Sequence, residues 1–355
     1  MKEKSVAVFR ELIETATVSG FELPGQRLLA GFVKPCADAV SLDVQGNLHA
    51  VLNEGAPVRV MLDGHCDEIG LMVQHIDDEG FLYMNTVGGV NLQLLPGERI
   101  CIRGKQGTVK GVVGAKAIHL MTPKERESPV QSISSLWVDI GAASRKEALE
   151  TVGIGAPAVA EAGWRELMNG LVSARAMDDR VGAFIVMEAM RRLKGKKLNV
   201  AVHAVSSTQE ELGLRGARTA AYGINPHAGI AVDVTFASDD PGKEEKKVGR
   251  IKLGGGPVLS CGPIYNAALN ARIEKAAKKA KIALQEQASA RGDSTNAFSI
   301  YMSRSGAAAS LLSVPLRYMH TPVETLSLSD VDQTAELIAQ AVLSLKGDEV
   351  FTPML

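Results

Sequence analysis

The sequence predicts an α/β fold in which a mostly parallel sheet is sandwiched by helices and carries an inserted small β-barrel. Apolar runs of strand length alternate with segments of helical spacing towards both ends of the chain, and a β-rich stretch interrupts them. The 355 residues also exceed the ~250–300 at which a single core usually stops growing. We therefore expect two domains, one formed by residues 1-68 plus 164-355 and one inserted at residues 69-163.

The first part of the chain has the pattern of an α/β layer. Apolar residues recur at helical spacing over 5–16 and 24–34, which predicts two helices. The alternation in AVSLDV and NLHAVL predicts two strands. The apolar run VRVMLDGH, which ends at His65, predicts a buried strand.

Between about Ile69 and Pro157 the pattern changes to short strand-like runs separated by glycines. These runs are LMVQHI, FLYMN, RICIRG and TVKGVVGA, and helical spacing returns only at 145–151. Many short strands with glycine-rich connections are typical of barrels. The segment therefore predicts a small β-barrel inserted into the α/β domain.

After Gly163 the alternation of strands and helices returns, which predicts a largely parallel sheet covered on both faces. The predicted helices lie at 180–194, 213–222, 265–280, 294–303 and 330–345. The predicted strands lie at 198–206, 228–235, 282–288 and 307–314. The pattern Ser329-x-x-Asp332 predicts a capping box at the start of the last helix.

Charge and hydropathy exclude several kinds of partner. The formal net charge is -1 and the charges are spread along the chain, so we expect no nucleic acid partner. No run approaches the ~20 apolar residues of a membrane span, and charged residues interrupt the N-terminus before a signal-peptide core forms. The four cysteines are far apart and form no CxxC pair. We therefore expect a cytoplasmic protein with reduced thiols and no membrane contact.

Several apolar strands of the α/β domain are followed directly by side chains that bind metals. Ligands in open parallel sheets bind outside the carboxyl ends of the strands, so distant residues of this kind can meet in one site. The candidate residues are His65, Asp67, Asp178, Glu210, Glu211, Asp233 and His320. Asp233 lies within an apolar strand, where an unpaired carboxylate would cost several kcal/mol unless a cation or a donor compensates it.

The candidate ligands predict two metal ions. Histidines with several carboxylates and no thiolate suit zinc, cobalt or manganese better than copper or an iron–sulfur cluster, and we favour zinc or cobalt. A catalytic zinc normally takes three protein ligands. The five residues His65, Asp178, Glu211, Asp233 and His320 therefore fit two divalent ions ~3.5–4 Å apart that share one carboxylate. Asp178 is the predicted bridge.

The segments around these residues carry a family resemblance. They are GHCDEIG (64–70), ARAMDDRVG (174–182), SSTQEELGLRGA (206–217), AVDVTFASD (231–239), GGGPVLSCGP (254–263) and RYMHTPVE (317–324). In this order they resemble the motifs of tetrahedral (TET-type) aminopeptidases, a group that includes glutamyl and deblocking aminopeptidases. LWVDIGA (136–142) is similar to the end of that family's barrel insert, whereas RGDSTNA (291–297) is only loosely similar to its glycine-threonine-aspartate motif.

The resemblance covers essentially the whole chain and implies the phosphorylase/hydrolase-like fold of zinc peptidases. It implies that His65 and Asp233 hold one ion, that Glu211 and His320 hold the other, and that Asp178 bridges them. The implied reaction is the removal of N-terminal residues from peptides, with a metal-bridged water as the nucleophile. The implied assembly is a homo-oligomer in which the barrels pair subunits and the dimers form a tetrahedral dodecamer.

Further roles follow from the same resemblance. Glu210 is implied as the general base, and Asp67 as the carboxylate that orients His65. A cis peptide is implied between Asp178 and Asp179. The side-chain pocket for the substrate is predicted to draw on residues 235–240 and 254–263, and the preferred N-terminal residue stays open.

Four other functions are weighed against the aminopeptidase. A related N-acyl-amino-acid deacylase or desuccinylase would share the metal site but would not require a free amine. A glycosidase would use Glu210 and a second carboxylate, and some relatives are labelled endoglucanase or cellulase, but the histidines would then be superfluous. A non-catalytic metal-binding scaffold would not need Glu210. A cysteine hydrolase built on Cys66 and His65 is disfavoured, because adjacent side chains of an extended segment point apart.

Overall fold

The computed structural model of the chain describes residues 1–127, 130, 132–292 and 294–352. The helices are α1 (Glu3–Glu14), α2 (Leu23–Val33), α3 (Pro123–Glu127), α4 (Arg145–Thr151), α5 (Met177–Leu193), α6 (Arg215–Ile224), α7 (Glu245–Val248), α8 (Ala267–Ala280), α9 (Asn296–Tyr301) and α10 (Leu328–Leu343). Asp293, in the loosely matching segment 291–297, lies outside the described residues.

The strands fall into one large sheet, one small sheet and one barrel. They are β1 (Ala39–Leu42), β2 (Leu48–Leu52), β3 (Arg59–His65), β4 (Gly70–Ile76), β5 (Leu82–Val87), β6 (Arg99–Gly104), β7 (Gly107–Gly114), β8 (Trp137–Asp139), β9 (Pro157–Ala160), β10 (Arg165–Glu166), β11 (Leu171–Ala174), β12 (Ala201–Ser207), β13 (Ala228–Phe236), β14 (Val258–Cys261), β15 (Gln285–Ala288), β16 (Ala308–Leu316) and β17 (Glu324–Ser327).

The large sheet has the order β1-β2-β12-β3-β13-β16-β14-β15. Its four central strands, β12, β3, β13 and β16, pair in parallel. The flanking pairs β1-β2, β2-β12 and β14-β16 are antiparallel. Because parallel neighbours end at the same edge of a sheet, the carboxyl ends of the central strands meet there, and Ser207 of β12 lies opposite His65 of β3.

Helices cover both faces of this sheet, as the alternating pattern predicts. Val60 and Leu62 of β3 point into the larger core, which is closed by α1, α2, α5, α8 and α10. Met61, between them, points into a smaller core beneath α6 and α9. Successive side chains of a strand point to opposite faces, so an uninterrupted apolar run is what a strand buried on both sides requires.

Gly64 allows helix α5 to pack directly on β3, next to His65. A Cβ at Gly64 would lie 2.2 Å from the carbonyl carbon of Gly182 and 2.5 Å from the backbone nitrogen of Ala183. We expect Gly64→Ala to lower the free energy of unfolding by about 1–3 kcal/mol, because α5 must move away from the sheet. Urea unfolding measures this change.

Gly31→Ala is the matched control for that measurement. Gly31 lies in α2, and a Cβ added to it would meet no neighbouring group within 4 Å. Its substitution should raise the free energy of unfolding by about 0.5–1 kcal/mol, because alanine favours the helix and restricts the unfolded chain. A Gly64→Ala protein as stable as the wild type would contradict the close packing of α5 on β3.

A closed barrel is inserted after β3, with the strand order β4-β5-β8-β7-β6-β9. Its strands run from Gly70 to Ala160, inside the segment predicted as an insert. Inward-pointing side chains such as Leu71, Ile76 and Leu82 form a core separate from that of the large sheet. The predicted fold class, an α/β domain with an inserted barrel, is confirmed. Among the residues that the structure describes, no helix is long and apolar enough to cross a membrane.

The predicted capping box at Ser329 and Asp332 is wrong. Helix α10 begins at Leu328, and its N-cap is Ser327, whose Oγ accepts a hydrogen bond from the N–H of Ser329. Ser329 already lies inside the first turn, where its side chain can no longer cap the helix. The Asp332 carboxylate is instead paired with Arg192 of α5.

A small antiparallel sheet, β10-β11-β17, was not predicted. Its strands are two to four residues long, too short to show a period in the sequence. In the register of β11 and β17, Ala174 lies opposite Glu324. This sheet therefore brings Glu324 close to the start of α5, which carries Asp178.

Candidate active site

The five predicted ligands meet at the carboxyl edge of the large sheet. His65 is the last residue of β3, and Asp233 lies near the end of β13. Glu211 follows β12, His320 follows β16, and Asp178 lies at the start of α5. The parallel order of these strands brings together residues that are far apart in the sequence.

The donor atoms form two overlapping clusters. One consists of His65, Asp178 and Asp233, and the other of Asp178, Glu211 and His320. Within each cluster the donor atoms all lie within 4.8 Å of one another. Asp178 belongs to both: its Oδ1 lies 3.4 Å from Nε2 of His65, and its Oδ2 lies 3.2 Å from Nε2 of His320. A carboxylate that turns one oxygen to each cluster has the geometry of a bridge between two ions.

Glu210 lies beside the clusters and belongs to neither of them. Its Oε2 lies 3.7 Å from Nε2 of His65, and 11% of its side chain is exposed. The neighbouring Glu211 turns towards the other histidine, with Oε1 3.5 Å from Nε2 of His320. The two adjacent glutamates therefore occupy different positions around the site.

Asp67 fixes the orientation of His65 and of the glutamate pair. Nδ1 of His65 lies 3.1 Å from the backbone carbonyl oxygen of Asp67 and 3.3 Å from its buried carboxylate, which leaves Nε2 of the ring facing the site. The same carboxylate accepts hydrogen bonds from the backbone N–H groups of Glu210, at 2.9 Å, and Glu211, at 3.1 Å. The hydroxyl of Ser19 donates a further bond at 2.7 Å. A carboxylate behind a histidine in this way sets its tautomer and its ring orientation.

Glu324 is a site residue that the sequence analysis missed. Its buried carboxylate accepts hydrogen bonds from the backbone N–H of Asp178, at 3.0 Å, and of His320, at 2.7 Å. It therefore holds together two segments that belong to different parts of the chain. The segment ETLS that begins with Glu324 contains a single apolar residue, so no apolar pattern in the sequence marked this carboxylate as buried.

Asp179 supports His65 from the other side. Its Oδ2 accepts a hydrogen bond from the backbone N–H of His65 at 3.2 Å, and its Oδ1 accepts one from Gly182 at 3.0 Å. The peptide bond between Asp178 and Asp179 is cis. The cis peptide that the resemblance implied is thus confirmed.

The electrostatics of the site favour bound cations. Burial, followed by the charge of neighbouring carboxylates, raises the pKa of Asp233 to about 7. Burial would also raise the pKa of Asp178, but hydrogen bonds from His320 and His65 hold it below its usual range. Hydrogen bonds to Asp178 and Glu211 raise the pKa of His320 to about 11. Carboxylates this close repel one another and retain protons unless positive charge is supplied.

Among the described residues, no lysine or arginine supplies positive charge to these carboxylates. Within the described part of the chain, no lysine or arginine nitrogen lies within 4.0 Å of the carboxylates of Asp178, Glu210, Glu211 or Asp233. Imidazole nitrogens and carboxylate oxygens are ligands for zinc, cobalt and manganese. The residues present therefore fit divalent metal ions in number, chemistry and charge.

A known protein family matches most of the chain. The family model of the M42 glutamyl aminopeptidases matches residues 46–337, which include every residue of the two clusters. The chain belongs to the M42 family. The predicted relationship to TET-type aminopeptidases and the prediction of a metallo-aminopeptidase are thereby confirmed.

Relatives of this M42 chain are similar over its whole length. It is 38% identical to the lysyl aminopeptidase of Pyrococcus furiosus, over 98% of this chain and 99% of that one. A TET aminopeptidase from a marine sediment Thaumarchaeota archaeon has a TM-score of 0.91 at 34% identity, over 97% of both chains. The TET1 peptidase of Pyrococcus horikoshii has a TM-score of 0.85 at 32% identity, over 96% of this chain and 100% of that one.

The cysteine hydrolase is excluded by the environment of its proposed nucleophile. Cys66 is fully buried, and burial raises the pKa of its thiol to about 12. A thiolate, not a thiol, is the nucleophile of such enzymes. Cys66 is therefore a core residue of this M42 enzyme.

Two cavities open from the two clusters, and both are lined by Asp178, Glu211 and His320. The first, the serine-rich cavity, is further lined by Glu210, Asp233, Thr235, Phe236, Ser260, Tyr265, Gln287 and Ser289. The second, the barrel cleft, lies between the barrel and the α/β domain and is further lined by Ile69, Leu71, Val90, Leu94, Leu95 and Pro322. The segments predicted to shape the substrate pocket, 235–240 and 254–263, contribute to the serine-rich cavity only.

Proposed function

We propose that this M42 chain removes N-terminal residues from peptides with the help of two divalent cations per subunit, zinc or cobalt. His65 and Asp233 would hold one ion, Glu211 and His320 the other, with Asp178 shared. The observation that supports the proposal is the overlap of the two clusters at a single carboxylate. Five ligands for a single ion would exceed the three that a catalytic zinc normally takes.

Glu210 acts as the general base in this proposal. Divalent ions at such a site supply Lewis acidity, which lowers the pKa of water and polarises a carbonyl. Glu210 accepts the proton of the attacking water at its free carboxylate and returns it to the nitrogen of the leaving peptide. Burial raises the pKa of Glu210 to about 9, and positive charge placed beside it lowers that pKa towards the value a base requires.

The acidic edge of the site also favours a free N-terminus. A substrate ammonium that enters the serine-rich cavity meets the carboxylates of Asp233 and Glu211, which line it. An N-acylated substrate lacks this positive charge and would be disfavoured. The requirement for a free amine separates the aminopeptidase from the deacylase.

Metal removal tests the proposed function directly. A strong chelator should abolish the hydrolysis of a panel of aminoacyl-anilides, and addition of zinc or cobalt should restore it. The reason is that the side chains of the site cannot ionise water near pH 7 without a metal ion. The N-acetylated anilides serve as controls and should remain uncleaved throughout. Full activity in metal-free protein, or cleavage of the acetylated substrates at the same rate, would refute the proposal.

We further propose that the barrel pairs subunits and that the dimers form a tetrahedral dodecamer. The TET1 peptidase of Pyrococcus horikoshii can assemble into a tetrahedron or a large octahedral shell. The inserted segment of this chain carries four large apolar side chains that are each 49–73% exposed, namely Val112, Ile118, Leu120 and Ile154. Exposed apolar side chains of this size favour contact with another chain. Light scattering should give the mass of twelve chains. A monomer at every concentration would rule the assembly out.

A further inference from the structure

The barrel cleft differs from the serine-rich cavity in both position and chemistry. Both touch Asp178, Glu211 and His320, but only the serine-rich cavity also touches Glu210 and Asp233. The two cavities are therefore separate spaces that meet at Asp178, Glu211 and His320. A peptide bound across the metal-binding clusters would extend from one cavity into the other.

The direction of the peptide follows from the proposed function, on which this step rests. The N-terminal residue carries the ammonium group, so it occupies the serine-rich cavity with its additional carboxylates. The scissile bond then lies at the shared residues. The part of the peptide that leaves after hydrolysis has to lie on the remaining side, in the barrel cleft.

The walls of the barrel cleft are apolar. Ile69 and Leu71 come from the start of the barrel, Val90, Leu94 and Leu95 from the segment between β5 and β6, and Pro322 from the α/β domain. A cleft with walls of this chemistry matches a leucine-like side chain better than a polar one.

The charged groups of the cleft do not change this assignment. Glu68 is 1% exposed and is paired with Arg175 and, at 3.4 Å, with Arg180. Glu98 also lines the cleft and is half-buried. Glu324 lines the cleft as well, but its carboxylate accepts the backbone N–H groups of Asp178 and His320. Glu98 is thus the one lining carboxylate in the described residues that is not accounted for by an ion pair, by these hydrogen bonds or by the two clusters. It defines a rival occupant, a basic side chain.

We infer that the barrel cleft binds the side chain of the second residue of the peptide and that the enzyme selects an apolar residue there. The barrel then contributes to substrate choice in addition to any role in assembly. Burial of a leucine side chain against these walls removes apolar area from water, and a serine in its place gains little. The preference for an apolar second residue therefore depends on side chains from both the barrel and the α/β domain, which together line the cleft.

Tripeptides with one N-terminal residue and a varied second residue test the inference. We expect kcat/KM with leucine in second position to exceed that with serine by about tenfold or more. Peptides with aspartate or lysine in second position should also be cleaved more slowly than the leucine peptide. Equal rates for leucine and serine, or faster cleavage of the lysine peptide, would overturn the inference, the latter in favour of Glu98.

A variant of the cleft wall extends the test. Leu94 is 38% exposed, so Leu94→Asp places a charge on the wall without disturbing the barrel core. It should reduce the leucine-to-serine ratio of kcat/KM to about one. Leu42→Asp is the matched control, because Leu42 is 45% exposed on strand β1, away from the cleft, and its ratio should equal that of the wild type. An unchanged ratio in Leu94→Asp would overturn the inference.

Amino acid amides separate this inference from the proposed function. Their leaving group is ammonia, so they carry no side chain for the barrel cleft. Metal-loaded enzyme that cleaves the amides but does not distinguish the second residue of peptides would overturn the inference alone. Failure to cleave both amides and peptides would overturn the proposed function together with it.

Discussion

Glu210→Gln is expected to lower kcat by about 10²–10⁴-fold and to leave the metal content of the protein unchanged. Glu210 lies beside the clusters without belonging to them, so an amide in its place removes a base and no ligand. Its backbone N–H still donates to Asp67, which keeps the loop in position. Steady-state kinetics and elemental analysis of the same preparation measure the two quantities.

Glu211→Ala is the comparison that makes this result specific. Glu211 belongs to the cluster with Asp178 and His320, so its loss should reduce the metal content as well as the activity. The two adjacent glutamates would then have different roles, because Glu210→Gln retains metal without turnover and Glu211→Ala loses metal. Equal metal content and equal activity in the two variants would contradict the assignment of Glu210 as base.

Asp178→Ala is expected to abolish activity and to lower the metal content to below one ion per chain. Asp178 is the one residue common to both clusters, so its removal leaves two protein ligands for each ion. Asp233→Ala is the control within the site, because Asp233 belongs to one cluster only, and it should retain about one ion per chain. Isothermal titration of metal-free protein with zinc measures both stoichiometries.

A higher metal content in Asp178→Ala than in Asp233→Ala would contradict the shared role of Asp178. If Asp178→Ala bound as much zinc as the wild type, the clusters would not depend on a common carboxylate. If Asp233→Ala lost both ions, the cluster of Asp178, Glu211 and His320 would not hold an ion by itself. The wild-type protein, titrated in parallel, should bind two ions.

The residues of the two clusters could be predicted from the sequence because each stands at a recognisable place. His65 ends an apolar strand, and Asp233 lies inside one, where a carboxylate without a partner is costly. Glu324 and Asp179 carry no such indication, because their role is to accept backbone N–H groups. Which N–H group lies beside a carboxylate depends on the folded chain and leaves no pattern in the sequence.

The secondary structure also divides into elements that the sequence predicts and elements that it does not predict. The long elements, such as α5 and β13, were predicted to within a few residues because their apolar period extends over many positions. Strands β11 and β17, which were not predicted, are only four residues long. The N-cap of α10 is Ser327, two residues before the predicted cap at Ser329. The barrel cleft could not be predicted at all, because it arises where Leu94 of the barrel approaches His320 of the α/β domain.

Anomalous diffraction from crystals soaked in zinc or cobalt tests the central claim most directly. The account predicts two peaks ~3.5–4 Å apart in each chain, one beside His65 and Asp233, the other beside Glu211 and His320, with Asp178 between them. A single peak, or two peaks that do not share the Asp178 carboxylate, would contradict it.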